Sequence, residues 1–363
     1  MAPTRLPERC LTCSRSCPSR SRLSGSVNEV RIIATVDPLS EILSLTRVRG
    51  TVAATLEAGD GWGVDIDNVP GAAFHAMIAG VAWLELAGQE PRRLVPGDLL
   101  LLPTGARHHL VAEPGSATQP FDYLAARQAL TRGGKLTIGS GETHTRILCG
   151  SYYQDAALNA QLLSLLPHVI HLHTDLSRQT DHVLQLLAHE IGSTRSGTTT
   201  VRDRLLDVLL VYIIRAWLVT AETQPLPASW LTALRDPLVS QALAALHSDV
   251  ARDWTITDLA SRLAVSRATL ARRFTALVGQ PPLSYLTEWR MELAAHRLRT
   301  TQEPIGPIAH AVGYTSEYAF NRAFTRIRGV APGRFRALAQ ARALGDGRVV
   351  THGAMAKRVG TPV

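Results

Sequence analysis

The spacing of apolar positions changes three times along the chain. Over residues 50–148, short apolar runs at 74–78, 81–86, 99–102 and 109–112 are separated by Gly, Pro and Asp turns, which predicts an antiparallel β domain. After Ser151 the interval lengthens, and residues 158–166, 181–191 and 201–219 carry apolar side chains at helical spacing. Pro225 and Pro227 break that pattern, and helical spacing resumes at Asp236-Pro237 and runs to Leu344. A short helical pattern from Asp37-Pro38-Leu39 through Leu45 precedes the strands, and residues 1–36, rich in Arg, Ser and Pro without apolar periodicity, read as a disordered leader. The expected fold is multidomain α+β: a small antiparallel β-barrel over 37–150, a helical linker or dimerisation segment over 151–235, an all-α domain over 236–345 and a disordered tail over 346–363. The apolar face formed by Leu205, Leu209, Tyr212, Ile213 and Trp217 exceeds what one helix needs against its own domain, so it is the expected dimer face.

Within the all-α domain a finer pattern occurs twice. Thr255 caps a helix with Asp258 at its third position, and Leu259, Ala260 and Leu263 face inward. Ala264-Val265-Ser266 supplies a tight turn, Ser266 caps the next helix, and Leu270, Phe274 and Leu277 bury its back, which makes a helix-turn-helix unit. About fifty residues later Ile305, Ile308, Ala309 and Val312 line a first helix, Gly313 makes the turn, and Phe320 and Phe324 bury the second helix. The exposed faces carry Ser266, Arg267, Ala268, Ala271, Arg272 and Arg273 in the first unit, and Glu317, Tyr318, Asn321, Arg322 and Arg326 in the second. Arg presents a fork that matches guanine, Asn a pair that matches adenine, and the remaining cations suit phosphates. The small Ala268 and Ala271 leave the first helix little reach.

Residues 254–336, including GQPPLSYLTEWRMELAAHRL between the two units and the closing GVAPGRFR, resemble the AraC-family DNA-binding domain. That resemblance implies two helix-turn-helix units set into successive major grooves of double-stranded promoter DNA. It brings with it the expected partners of such a regulator, namely RNA polymerase, a second copy of the chain and a small-molecule effector of unknown identity.

The β domain carries GDLLLLPTGARH, in which Gly97, Pro103, Gly105 and His108 match the second cupin motif. With DPLSEIL, FHAMIAGVAWL and TRILCG, it resembles the cupin-like sensor of one AraC subgroup. Metal-binding cupins supply HxH and then a Glu, but only His75 remains here, with Met77 at the second histidine position and Val81 or Ala82 where the Glu falls. No metal or cofactor is therefore assigned, and a stable barrel without stoichiometric metal is expected. His75, Met77, Trp83 and His108 form the candidate effector pocket, with the two histidines open to three readings: hydrogen-bonded barrel residues, ligand contacts or metal ligands. His168, His171 and His173 have ligand-like spacing without an evident acidic partner. Cys149 is either a buried inert thiol or a redox sensor. Cys10, Cys13 and Cys17 lie in the leader, and Val36-Asp37-Pro38 stands where chains of this subgroup begin, which points to a start codon misread as Val.

Composition narrows the choice. The 363 residues carry a formal +8 with a pI near 9.8, and residues 253–336 alone hold twelve arginines against six acids, so the excess sits on the element that needs a polyanion. No apolar run is long enough for a membrane span, and the N-terminus lacks the apolar core of a secretory signal, which places the chain in the cytoplasm with the nucleoid. The reading is a sequence-specific transcription regulator and not an enzyme. A redox-sensing regulator using Cys149 stands as the alternative, and a metal-dependent cupin enzyme as the weaker one, since it lacks its ligands and leaves the DNA reader unexplained. Whether transcription rises or falls is open.

Overall fold

All five residues of the strand Asp98–Leu102 (β6) are buried, an outcome that requires cover on both faces of its sheet. A computed structural model supplies that cover; it describes residues 37–46, 48–67, 69, 71–122, 125, 126, 128, 135–153, 162–173, 178–193, 195–220 and 227–351. Residues 1–36, with Cys10, Cys13 and Cys17, and residues 352–363 lie outside the described residues.

Strand β6 belongs to a six-stranded sheet in the order β11-β6-β3-β10-β1-β9, with β1 at Arg49–Asp60, β3 at Ala72–Ala79, β9 at Lys135–Ile138, β10 at Ser140–Tyr153 and β11 at Ile170–His173. A five-stranded sheet, β5-β4-β7-β2-β8, lies against it, built from β2 (Gly63–Ile66), β4 (Ala82–Glu85), β5 (Arg92–Leu94), β7 (His108–Val111) and β8 (Gln119–Pro120). Successive side chains of a strand point to opposite faces. Leu100 and Leu102 therefore join Met77, Leu84, Leu110, Ile147 and Cys149 between the sheets, whereas Leu99 and Leu101 join Phe74, Leu148 and Tyr152 on the far side. The expected barrel thus takes the form of two facing sheets. Its pairings are antiparallel except at two edges, where β9 joins β1 and β8 joins β2 in parallel. The cupin glycines act as the motif requires: Gly97 and Gly105 have φ of +95° and +59°, and a Cβ on Gly105 would stand 2.0 Å from the Val69 carbonyl oxygen.

The far face of the six-stranded sheet is covered by α2 (Arg178–Ile191) and α3 (Thr198–Thr220). Leu206, Leu209, Leu210, Ile213, Ile214 and Trp217 of α3 are buried there, with Leu205 and Tyr212 packed against the same core. This corrects the expected dimer face: Leu209, Ile213 and Trp217 are consumed by the chain's own sheet, because a 23-residue helix laid across six strands needs that length of apolar face. The apolar residues these two helices leave exposed are Leu186, Val201, Val208 and Val219.

Helix α1 (Pro38–Thr46) and the short α4 (Trp230–Ala233) connect this half to the next. Within the segment 151–235, expected as a helical linker, α4 begins at a Ser229–Thr232 capping box. The C-terminal half is helical as expected, with α5 (Pro237–Ser248), α6 (Ile256–Arg262), α7 (Arg267–Val278), α8 (Pro282–Thr300), α9 (Ile305–Ala311), α10 (Glu317–Arg328) and α11 (Pro332–Thr351). Helix α11 continues into the segment expected to be tail, and α9 forms despite Gly306-Pro307 near its start.

Strand β1 approaches α3 so closely that a Cβ on Gly50 would lie 2.3 Å from Leu206 Cβ. Gly50→Ala is expected to destabilise the protein by about 1–3 kcal/mol through overpacking, read as a lower urea midpoint. An unchanged midpoint would mean that α3 shifts without loss.

Candidate nucleic-acid interface and sensor core

The two reader helices are α7 and α10. Each starts at a serine whose hydroxyl accepts a backbone N–H, Ser266 from Thr269 and Ser316 from Ala319, and each ends at a left-handed glycine, Gly279 or Gly329. Leu270, Phe274 and Val278 anchor α7, and Phe320 and Phe324 anchor α10. What remains outward is polar: Ser266, Arg267, Ala268, Arg272 and Arg273 are exposed on the first unit, with Ala271 half-buried. On the second, Glu317, Tyr318, Arg322 and Arg326 are exposed and Asn321 is half-buried. Tyr318, Asn321, Arg322 and Arg326 line one shallow concavity, and the Arg322 guanidinium lies 5.8 Å from the centre of the Tyr318 ring.

Two predicted residues are engaged elsewhere. The Ser266 hydroxyl serves the cap and donates to Thr269 Oγ1 at 2.9 Å. The Arg273 guanidinium is held by Asp236, with Nε–Oδ2 at 2.6 Å, and Asp236 also caps α5. Among the described residues Arg267, Arg272, Arg322 and Arg326 enter no ion pair or hydrogen bond.

The readers share a spine. The first half of α8 buries Tyr285, Leu286 and Trp289 in the core of the first unit, and its second half buries Met291, Ala294, Ala295 and Leu298 in the core of the second. Nineteen helical residues span about 28 Å at 1.5 Å each. Arg290, which the sequence did not single out, fastens the joint. Its guanidinium donates to the carbonyls of Val250 at 2.9 Å and Arg252 at 2.7 Å, and lies 5.9 Å from the Tyr314 ring centre. Gly313, at φ +85°, leaves the room, since a Cβ there would stand 2.7 Å from the Ala251 carbonyl oxygen and 2.8 Å from the Arg290 guanidinium.

A second set of residues invisible to local pattern joins the sheet half to the reader half. Leu39 of α1 belongs to the core beneath α3, and Ile42, three residues on, to the core of the first reader. Leu231 and Ala233 of α4 are divided in the same way. Between them, Nδ1 of the buried His247 donates to Glu41 Oε2 at 2.5 Å, its Nε2 meets the Tyr285 hydroxyl at 2.8 Å, and its ring stacks on Trp289. Burial, with Glu41 and Glu288 nearby, pushes the Tyr285 hydroxyl up, so it keeps its proton and donates to Nε2. A cavity of about 300 Å³ adjoins this junction, lined by Ile42, Leu165, Trp230, Tyr285 and Trp289 among others.

Inside the sheet half, Cys149 stands beside His75 in the β3–β10 register, and His108 reaches His75 from the facing sheet. They form one hydrogen-bonded chain. His108 Nδ1 donates to the Ala106 carbonyl at 2.7 Å, so its Nε2 accepts from His75 Nε2 at 2.9 Å, and His75 Nδ1 is left to accept from the Cys149 thiol at 3.2 Å. Every member is neutral in that arrangement. Burial lowers both histidines, reinforced for His75 by the neighbouring His108, and burial pushes the Cys149 thiol up to about 12. Met77 lies buried in the same core. Trp83 is not with them: Ala82 and Leu84 of β4 point inward and are buried, and Trp83, between them, points to the outer face. The four expected pocket residues therefore do not converge, because strand parity separates the fourth.

The expectation that His171 and His173 lack an acid is also corrected. Asp98 stands opposite His173 in the β6–β11 register, a cross-strand neighbour that distance along the chain conceals. Among the described residues no helix is long and apolar enough to cross a membrane.

The sequence matches the Cupin family over residues 37–219 and the Helix-turn-helix domain family over residues 259–338. An AraC-like transcription regulator of Streptomyces lividans is 37% identical over 305 residues, covering 83% of this chain and 98% of that protein. The HTH-type transcriptional regulator AlkR of Acinetobacter baylyi is 30% identical over 267 residues, covering 72% of this chain and 86% of that one. Among solved structures, the DNA-binding domain of AdpA in complex with a target DNA is 30% identical, with a TM-score of 0.28, over 29% of this chain and 94% of that domain.

A thiol with its proton held that firmly makes little thiolate at neutral pH. Cys149 in the native protein is expected to react with iodoacetamide at least about a hundredfold more slowly than a free thiol, measured on its peptide by mass spectrometry. Reaction at the rate of an exposed thiol would restore Cys149 as a redox sensor.

Proposed function

We propose, on the premise that this chain belongs to the AraC-like transcription regulators, that its paired reader helices recognise promoter DNA and that its cupin half sets how firmly they engage it. The observation that carries this reading is the set of four uncommitted arginines, Arg267, Arg272, Arg322 and Arg326, on two capped and rigidly backed helices. Arg322 and Asn321 read base edges, Arg272 reads a base or positions the first helix, and Arg267 and Arg326 neutralise phosphates. The spine of about 28 Å approaches the roughly 34 Å of one duplex turn, which supports insertion into successive major grooves along one face of the DNA.

The regulatory half of the proposal follows from the junction. A small effector entering the cavity beside Ile42, Trp230, Tyr285 and Trp289 changes how α1 and α4 hold the first reader, and so shifts the population competent to bind. That moves the effector reading away from His75 and His108, whose ring nitrogens are engaged with each other, Cys149 and the Ala106 carbonyl, from Met77 buried in the same core, and from Trp83 on the outer face. Contact with RNA polymerase, a homodimer, and residence in the cytoplasm with the nucleoid complete the reading. No catalytic role is assigned: the relatives are named as regulators, and His75 and His108 are neutral partners in a closed chain.

Selection of bound fragments from random duplexes by the full chain tests the reading. It is expected to return a site with two contact segments about one helical turn apart, and no enriched sequence would overturn it. On that site Arg322→Ala is expected to cost roughly 1–3 kcal/mol at one guanine-bearing position and to relax choice there. Equal weakening on every sequence would make Arg322 a phosphate contact instead.

A further inference from the structure

The edge strand β11 places two imidazoles on one face of the sheet, and β6 places a carboxylate between them. His171 and His173 are two residues apart and so share a face, with ring centroids 4.6 Å apart. Asp98 pairs with His173 in the register. Its Oδ1 lies 2.5 Å from His173 Nδ1 and its Oδ2 lies 3.3 Å from His171 Nε2. One ligand atom from each of the three residues can be chosen so that all lie within 4.8 Å of one another. The group stands apart from the His75–His108–Cys149 chain and from the reader helices.

Three features go beyond an ordinary Asp–His contact. His171 Nε2 is buried and completes no hydrogen bond, although it lies close to a carboxylate oxygen. Asp98 is itself buried, and its Oδ2 is oriented by the Val95 backbone N–H at 2.9 Å, the kind of outer contact that fixes a metal ligand. The His173 side chain is 62% exposed, which gives an ion a path in and leaves a position for water. Two imidazole nitrogens and one carboxylate oxygen suit a borderline divalent ion. Around a tetrahedral zinc, with bonds of about 2.0–2.1 Å, ligand atoms stand about 3.3 Å apart, a separation these side chains reach by small rotations.

Against the expectation of a barrel without stoichiometric metal, which weighed only the cupin-motif ligands, we propose that Asp98, His171 and His173 bind one divalent transition-metal ion, preferentially zinc, with water in the fourth position, and that the ion clamps the edge strand β11 to β6. Strand β11 leads into α2 and packs Ile170 and Leu172 into the core beneath α3, so the clamp stiffens the platform on which the helices lie.

The test uses the full chain without an affinity tag, with Cys10, Cys13 and Cys17 replaced by serine so that their thiols do not contribute. The protein is stripped with EDTA and titrated with Zn²⁺ in competition with a chromogenic chelator. The expected result is one equivalent bound with micromolar or tighter affinity. His173→Ala abolishes that equivalent, Asp98→Asn, which preserves an acceptor for the Val95 N–H, weakens it at least about tenfold, and Cys149→Ser leaves it unchanged. Because His173 is exposed, His173→Ala is expected to keep the circular dichroism of the parent. Equal zinc uptake by the parent, His173→Ala and Asp98→Asn would overturn the proposal, as would no uptake by the parent or loss only on Cys149→Ser.

Discussion

Two short helices each contribute to two hydrophobic cores, and this sharing governs how the halves of the molecule relate. Leu39 and Leu231 lie in the core beneath α3, and Ile42 and Ala233 in the core of the first reader. A nine-residue helix such as α1 is marginal in isolation, so its stability comes from packing on both sides at once. Separating the halves would expose one face of α1 and of α4 and strip Glu41 from His247. The orientation of the first reader relative to the sheets is thus fixed by apolar burial together with a buried charge-bearing contact, while the adjoining cavity leaves space at the joint. Coupling between a sensor and a reader needs such an element, one whose position both sides determine.

The inter-sheet core shows what becomes of a cupin frame without its metal ligands. The turn-forming Gly97 and Gly105 and the inward His75 and His108 are retained. With Met77 in place of a second histidine and no acid at Val81 or Ala82, the two imidazoles have no carboxylate beside them in the motif. Burying two imidazoles and a thiol among leucines is costly unless each polar atom finds a partner. The chain ending on the Ala106 carbonyl provides those partners with every group neutral, which is why burial lowers the histidines and raises the thiol together.

The reader was legible in the sequence because its signals are local. The caps at Thr255 and Ser266, the turn at Gly313 and the apolar backs of α7 and α10 all lie within a few turns of the residues they orient. The cupin turns were legible for the same reason. What stayed hidden depends on pairings the chain does not encode nearby. Asp98 was inside the quoted motif, yet its meeting with His173 depends on β11 adding to the edge of β6. Glu41 and His247 are far apart in sequence and meet through α1. The apolar face of α3 was read correctly as buried and assigned to the wrong partner, since periodicity gives the direction of burial and not what lies across it. Trp83 illustrates parity: one residue of offset in β4 separates it from the core that holds Met77.

The two readers are unequal in a way that follows from these contacts. In α7 the positions nearest the helix start are Arg267 and Ala268, Ala271 is half-buried, and Arg273 is drawn back to Asp236 at the start of α5. Arg272 is left as the long, uncommitted side chain in the middle of that face. In α10, Tyr318, Asn321, Arg322 and Arg326 form a continuous polar face, with the Arg322 guanidinium near the Tyr318 ring. Helix α8 and the Arg290 joint hold the units at a fixed separation, so on the proposed reading α10 would set the register on the duplex. On the same reading the first reader would contribute chiefly phosphate contacts and one base contact, and discrimination between sequences would concentrate in the second half of the site. The unit tied most directly to the sensor, through α1 and α4, is therefore the one with less base-reading reach. On the proposed reading, a signal passing through that junction would change affinity for all sites more than it changes which site is chosen.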